Sequence, residues 1–218
     1  MKLGLFGGTF DPVHRGHLDV ARAAQRAIGL DDLWWLPAPA PPHRTRPQVS
    51  AYHRFAMVAL AIQDEPRMIV SDFEMAGPGP TYTSDTLARL RADGRSPGSL
   101  FFITGADAFR DIPQWKNYPR LLDAAHFMVV SRPGAPVAAL RDQLPDLASR
   151  MVDDPHDARA EPRIVPVDAP TANVSSTEIR QAVAAGGGLE SLVPPSVATY
   201  IDRHRLYALS VPNSKGTA

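Results

Sequence analysis

The strongest constraint on the fold is a recurrence of short apolar runs separated by amphipathic segments. Runs of strand length stand at Leu3–Phe6, Leu33–Leu36, Met68–Val70, Leu100–Ile103, Phe127–Val130 and Ile164–Val167, each bounded by turn residues or charges. Segments of helical period cover Leu18–Ile28, Tyr52–Ile62, Ser84–Arg91, Pro119–Ala124 and Val137–Leu147. Strand alternating with helix predicts an α/β fold with a doubly wound, mostly parallel sheet. In such a sheet ligands gather beyond the carboxyl ends of the strands. Two later segments, Ser176–Ala185 and Pro195–Arg205, flank Gly186-Gly187-Gly188 and predict a small C-terminal helical cap. Residues 1–207 read as a single domain with 175–207 as its helical part, and the polar residues 208–218 as a disordered tail. The aperiodic, polar segment Asp146–Pro162 reads as a variable surface loop.

Charge and residue usage narrow the chemistry. Twenty-three basic residues balance 23 acidic ones, so no global positive field favours nucleic acid, and any anion must be caught locally. Lysine occurs only at 2, 116 and 215, which leaves arginine and histidine to handle phosphates. Without cysteine there is no disulfide, thiol nucleophile or cysteine zinc site. Neither a signal peptide nor a membrane span is visible, and a soluble, cytoplasmic protein is expected, monomeric or homo-oligomeric.

The candidate chemistry sits at strand ends. Gly7-Gly8-Thr9 closes the first run, where missing Cβ atoms allow close backbone approach. His14-x-Gly16-His17 follows at a helix start, placing two imidazoles beside N–H groups that favour anions, a phosphate site. Polar loop residues, a zinc pair and a chance N-cap are the competing readings, and zinc lacks a third ligand nearby in sequence. Ser175-x-x-Glu178 is a capping box, whereas Ser176, Thr177 and Arg180 bring hydroxyls, N–H groups and a guanidinium suited to a polyphosphate. In Gly105-Ala106-Asp107, after the fourth run, the carboxylate can accept from ribose hydroxyls or cap a helix. Trp115 lies in a polar stretch and reads as an exposed indole able to stack on a planar ring, unlike Trp34 and Trp35 within a strand. Thr81-Tyr82-Thr83 precedes a helix, as an anion site, a cap, or both. His43 and Arg44 lie at the tip of a proline-rich segment, Ala38–Pro47, that otherwise reads as a rigid spacer.

Together the strings Gly7–His17, Pro41-Pro42-His43-Arg44, Thr81-Tyr82-Thr83, Gly105-Ala106-Asp107, Trp115 with Tyr118, and Ser175–Arg180 resemble the bacterial nicotinate-nucleotide adenylyltransferases. That family lies within the superfamily marked by (H/T)-x-G-H, and the resemblance spans nearly the whole chain. It implies a Rossmann-like nucleotidyltransferase fold and adenylyl transfer from ATP to nicotinate mononucleotide, giving nicotinate adenine dinucleotide and pyrophosphate in NAD biosynthesis. By resemblance His17 stabilises the α-phosphate with help from Thr9, His14 holds the polyphosphate, and Arg180 faces the leaving group. Gly7, Gly8, Gly16, Gly105, Asp107, Ser176 and Thr177 complete the implied ATP site. His43 and Arg44 would approach phosphates, Thr81, Tyr82 and Thr83 the nicotinate carboxylate, and Trp115 with Tyr118 the pyridine. Mg²⁺ is expected with ATP, held mainly by phosphates and water rather than by a protein metal site, while Asp11 shapes the turn before Pro12. One departure is Ala38-Pro39-Ala40, where many relatives carry asparagine. A related adenylyl- or cytidylyltransferase with another phosphate acceptor, a class I tRNA ligase and a non-catalytic nucleotide sensor are the rival readings.

Overall fold

Six strands, one at each predicted apolar run, pair side by side in parallel. They are β1 (Leu3–Gly8), β2 (Asp32–Pro37), β3 (Met68–Val70), β4 (Leu100–Gly105), β5 (His126–Val130) and β6 (Ile164–Val167), in the order β3-β2-β1-β4-β5-β6. The computed structural model describes residues 1–39, 47–75, 79–158 and 161–208. Strand alternation divides the core into two layers. Phe101, Ile103, Met128 and Val130 enter one apolar cluster, and Leu100, Phe102, Phe127 and Val129 enter the other. A strand with both faces apolar has no stable place except between two covers.

Helices α1 (Arg15–Ile28) and α2 (Ala51–Ala61) supply one cover through Val20, Ala24, Met57 and Val58. Helix α3 (Thr83–Ala92) and the short α4 (Ala106–Phe109) supply the other through Leu87, Leu90 and Phe109. After β1 the chain turns to the first face, and after β4 to the second, so the two connections diverge. This opens a crevice at the carboxyl ends of β1 and β4, the switch point of a doubly wound sheet. Helices α6 (Ser176–Ala184) and α7 (Pro195–Arg203) extend the first cover, since Ile179, Val197, Ile201 and Tyr207 share its apolar cluster.

The structure departs from expectation where helical period was weakest. Pro119–Ala124 contains only a 3₁₀ turn, Arg120–Asp123, and Val137–Leu147 breaks into 3₁₀ turns around α5 (Leu140–Gln143). Segments this short bury too little apolar surface to offset the cost of nucleating a longer helix. Asp146–Pro162 is not solely a surface loop. Leu147 and Met151 are buried in the second cluster, and Met151 bridges to Ile164 beside β6. Residues 209–218, the bulk of the expected tail, lie outside the described residues.

Gly16 occupies the first turn of α1 where that helix meets the β6–α6 connection. A Cβ there would stand 2.8 Å from Arg132 Nη1 and 2.9 Å from the Ala172 carbonyl oxygen. The same contact is fixed by Asp19, whose carboxylate accepts from the Ala172 N–H at 2.9 Å. Gly16→Ala gains about 1 kcal/mol of helix propensity but meets an overpacking cost of about 1–3 kcal/mol. A net loss of stability in urea unfolding is expected, and a raised midpoint would contradict this packing.

Candidate active site

A cavity of about 740 Å³ occupies the crevice at the switch point. Its first wall is the turn between β1 and α1. Gly7, Gly8, Thr9, His14 and His17 all line it, but Gly16 does not. The ring of Phe10 explains Gly8, because a Cβ there would stand 2.7 Å from it. Close approach at this position serves the protein's own aromatic packing. Phe10, with a backbone φ of 49°, sets its ring 5.2 Å from Trp35 and 5.1 Å from His17.

His14 takes the N-cap position of α1 and is 2% exposed, with its ring stacked on His17 at 3.6 Å between centroids. Burial, reinforced by the Arg132 guanidinium, lowers its pKa from 6.5 to about 3. The imidazole is therefore neutral near pH 7 in the unliganded protein. His17 Nδ1 accepts from the His14 backbone N–H at 3.3 Å. With Nδ1 accepting, the ring proton belongs on Nε2, making that atom a donor.

A second wall comes from the start of α6. Ser175 and Glu178 form the predicted capping box, with Ser175 Oγ accepting from the Glu178 N–H and the Glu178 carboxylate accepting from the Ser175 N–H at 2.7 Å. Ser176, Thr177 and Arg180 line the cavity, and each is also tied to the protein. The Ser176 hydroxyl donates to the Pro12 carbonyl at 2.9 Å. Arg180 donates to the Asp11 carbonyl at 2.7 Å and to Thr177 Oγ1 at 3.2 Å. These contacts, between residues 164 and 169 apart in sequence, join the two motifs into one surface.

At the end of β4, Gly105 and Asp107 line the cavity. Gly105 holds the N-cap position of α4 and Asp107 is exposed, so the alternative in which Asp107 caps the helix is set aside. The remaining wall belongs to the opposite face of the sheet. Thr81, Thr83 and Trp115 line it, with Glu74 among them. Trp115 is only partly exposed, because one edge of its indole packs on Phe102 at 6.0 Å between centroids. The expectation of an exposed ring is corrected accordingly; the cavity-facing part is fixed rather than free. Tyr82 is the N-cap of α3, and its ring lies under Lys116 Nζ at 4.6 Å. Tyr118 packs beside the second cluster. Neither tyrosine lines the cavity, and His43 and Arg44 lie outside the described residues.

Comparisons with known proteins bear on the family and the fold. A family model described as cytidylyltransferase-like matches residues 5–182. A relative from Pseudomonas fluorescens is 42% identical, covering 94% of this chain and 97% of its own. One from Thermus thermophilus is 40% identical, covering 95% and 100%. Both are named "Probable nicotinate-nucleotide adenylyltransferase". The chain belongs to the nicotinate-nucleotide adenylyltransferase family. Its fold is also that of the Plasmodium falciparum nicotinic acid mononucleotide adenylyltransferase, solved in complexes with NaAD and with APC. Those two structures give TM-scores of 0.74 and 0.71 at 17% and 18% identity, with coverage of 94% of this chain and 97% and 96% of theirs.

Arg132 and Glu74, which line the cavity, and Arg54 and Tyr207, which lie behind it, escaped the sequence reading. Arg132 lines the cavity directly beyond β5, a position that the strand-end rule already flagged as favourable. Arg54 is fully buried on the same helical face as Met57 and Val58, so a basic residue on an apolar stripe was its signal. Glu74, 5% exposed, accepts from Thr86 Oγ1 at 2.7 Å, and burial raises its pKa above the usual carboxylate range. Tyr207, which reaches Asp11, lies just after the predicted helix Pro195–Arg205, where no periodic pattern marked it.

The buried His14 makes stability depend on pH with a defined sign. Its folded pKa lies below the unfolded value, so the unfolded chain binds the proton first as pH falls. The stability is fully present above pH 6.5 and is lost as pH falls toward about 3. In urea unfolding at pH 7.5 and pH 5, the advantage of wild type over His14→Asn is expected to shrink by about 2 kcal/mol. An advantage that stays constant would show that His14 protonates freely in the folded state.

Proposed function

We propose that this chain transfers the adenylyl group of ATP to nicotinate mononucleotide, releasing pyrophosphate and forming nicotinate adenine dinucleotide, a cytoplasmic step of NAD biosynthesis. The observation that carries this reading is one cavity with two chemically different walls. Hydrogen-bond donors of the β1–α1 turn and of α6 stand on one face of the sheet, and an indole with the N-terminus of α3 on the other. The first wall suits a triphosphate, and the second a planar anionic ring. Membership of the family supports the same assignment.

The acceptor is already a charged phosphate, so no covalent enzyme intermediate is needed. One of its oxygens forms the bond to the α-phosphorus while the bond to the pyrophosphate oxygen breaks. The protein's task is alignment and charge stabilisation. His17 Nε2–H, with the Thr9 turn, would donate to the α-phosphate in the transition state. Arg180, Ser176 and Thr177 would hold the leaving pyrophosphate. His14 starts neutral, and an arriving polyphosphate supplies the negative charge that would draw a second proton onto its ring. Asp107, with Gly105, would meet the adenosine. Trp115 would stack on the pyridine, the N–H groups after Thr81 and Tyr82 would meet the nicotinate carboxylate, and His43 with Arg44 would approach phosphates.

For the metal, the described residues contain no group of three or more candidate ligands. Both carboxylate oxygens of Asp11 are engaged by the protein, with Gln48 N–H and with the Tyr207 hydroxyl. The site fits Mg²⁺ that enters with ATP, held by phosphate oxygens and water, and such an ion would offset charge on the polyphosphate.

The decisive assay is ATP-dependent pyrophosphate release with nicotinate mononucleotide, its amide and phosphopantetheine as acceptors. Release with the first and little with the third is expected, while release only with phosphopantetheine would overturn the acceptor assignment. His17→Ala should lower kcat by roughly 10²–10³-fold, and a near-normal kcat would remove His17 from the reaction. Trp115→Ala should raise KM for the mononucleotide and leave that for ATP nearly unchanged. Equal weakening of both substrates would exclude stacking on the pyridine.

A further inference from the structure

The turn that carries Thr9 is held by a buried polar network with no direct part in the chemistry described above. Arg54, fully buried in α2, donates to the Thr9 carbonyl at 2.6 Å, to the Ala38 carbonyl at 2.7 Å and to the Pro39 carbonyl at 3.1 Å. Asp11, two residues beyond Thr9 and 5% exposed, accepts from the Gln48 N–H at 2.9 Å through one carboxylate oxygen. Its other oxygen accepts from the Tyr207 hydroxyl at 2.8 Å. The carbonyl of Asp11 is the acceptor for Arg180. Asp11 thus meets α6 through its backbone and the C-terminal segment through its side chain.

Tyr207 is well suited to hold this position. It is 9% exposed, sits in the first apolar cluster and has a φ of 64°, a left-handed conformation that a non-glycine residue keeps only when packing holds it there. Burial and the neighbouring Asp11 raise its pKa, so the hydroxyl remains a donor throughout the neutral range. A buried hydrogen bond to a carboxylate is short and directional, and removing its donor leaves the acceptor partly unsatisfied in a low-dielectric site.

The geometry points to Tyr207 as a positioning residue for nucleotidyl transfer: through Asp11 it fixes the turn between β1 and α1, and with it the Arg180 guanidinium, where the polyphosphate docks. This rests on the adenylyl-transfer reading. Among the described residues, none of these hydrogen bonds reaches Thr81, Thr83 or Trp115 on the other wall. Loss of the bond should therefore misalign the ATP end alone, and displacement of a reacting group by an ångström can cost about 10²-fold in rate.

Tyr207→Phe removes one oxygen and keeps the buried ring. Its kcat, per folded enzyme, is expected to fall about 10–100-fold, with KM for nicotinate mononucleotide unchanged within a factor of about three. The Kd for a non-hydrolysable ATP analogue, read by calorimetry without turnover, is expected to rise about tenfold. Asp11→Ala, which removes both acceptor oxygens, should lose at least as much, and the double variant no more than Asp11→Ala alone, because no bond is then left for Tyr207→Phe to remove. Unchanged kcat and analogue affinity, equal weakening of both substrates, or additive effects of the two substitutions would overturn the proposal. If wild type binds the analogue but transfers nothing to nicotinate mononucleotide, the acceptor reading fails. The analogue affinities of the three variants then still decide the role of Tyr207.

Discussion

Parallel pairing of β1 along both of its edges is the constraint on which the rest of the molecule depends. With β2 on one side and β4 on the other, successive crossovers must leave the sheet on opposite faces. The chain after β1 enters α1 on the first cover, and the chain after β4 enters α4 on the second. A gap at the carboxyl edge follows from this divergence. The cavity needs no special loop to create it, and strand-end residues from both halves of the sheet line it.

Within that gap the turn from Gly8 to His14 is held from beneath and from behind. Beneath it, Phe6, Phe10 and Trp35 form an aromatic bed on which His17 also rests. Behind it, Arg54 and Asp11 take up backbone carbonyl and N–H groups that would otherwise be buried without partners. Burial pulls the Arg54 pKa down and Asp11 opposes the shift, as expected for a guanidinium kept charged by its neighbours. Such networks are costly to leave half satisfied, so their members are held in one arrangement. The turn is therefore held in place by the protein's own contacts.

Much of the fold was legible because strand-length apolar runs and helical periods leave a local imprint. The runs at 3–6, 33–36 and 100–103 became β1, β2 and β4, and the capping box at Ser175 and Glu178 opened α6 as expected. Pro119–Ala124 and Val137–Leu147 misled for the converse reason: their period was real, but the apolar partners on offer sufficed only for single turns. In the site, Gly7, Gly8, Thr9, His14, His17, Ser176, Thr177 and Arg180 converge on one cavity. Gly16, Tyr82 and Tyr118, read as binding residues from the same strings, are not among the residues that line it.

The sequence by itself determined the α/β class and the family, since apolar runs, helical periods and motif strings are each written within short stretches of the chain. Only tertiary structure decided what those residues can do. His14 has the pKa of a buried base because the assembled fold buries it, and Arg132, just beyond β5, adds to the shift. Trp115 presents one part of its ring because Phe102 holds the other. Asp11 is engaged by a tyrosine 196 residues further along the chain. Burial and through-space charge depend on which segments meet, and no local pattern encodes that meeting.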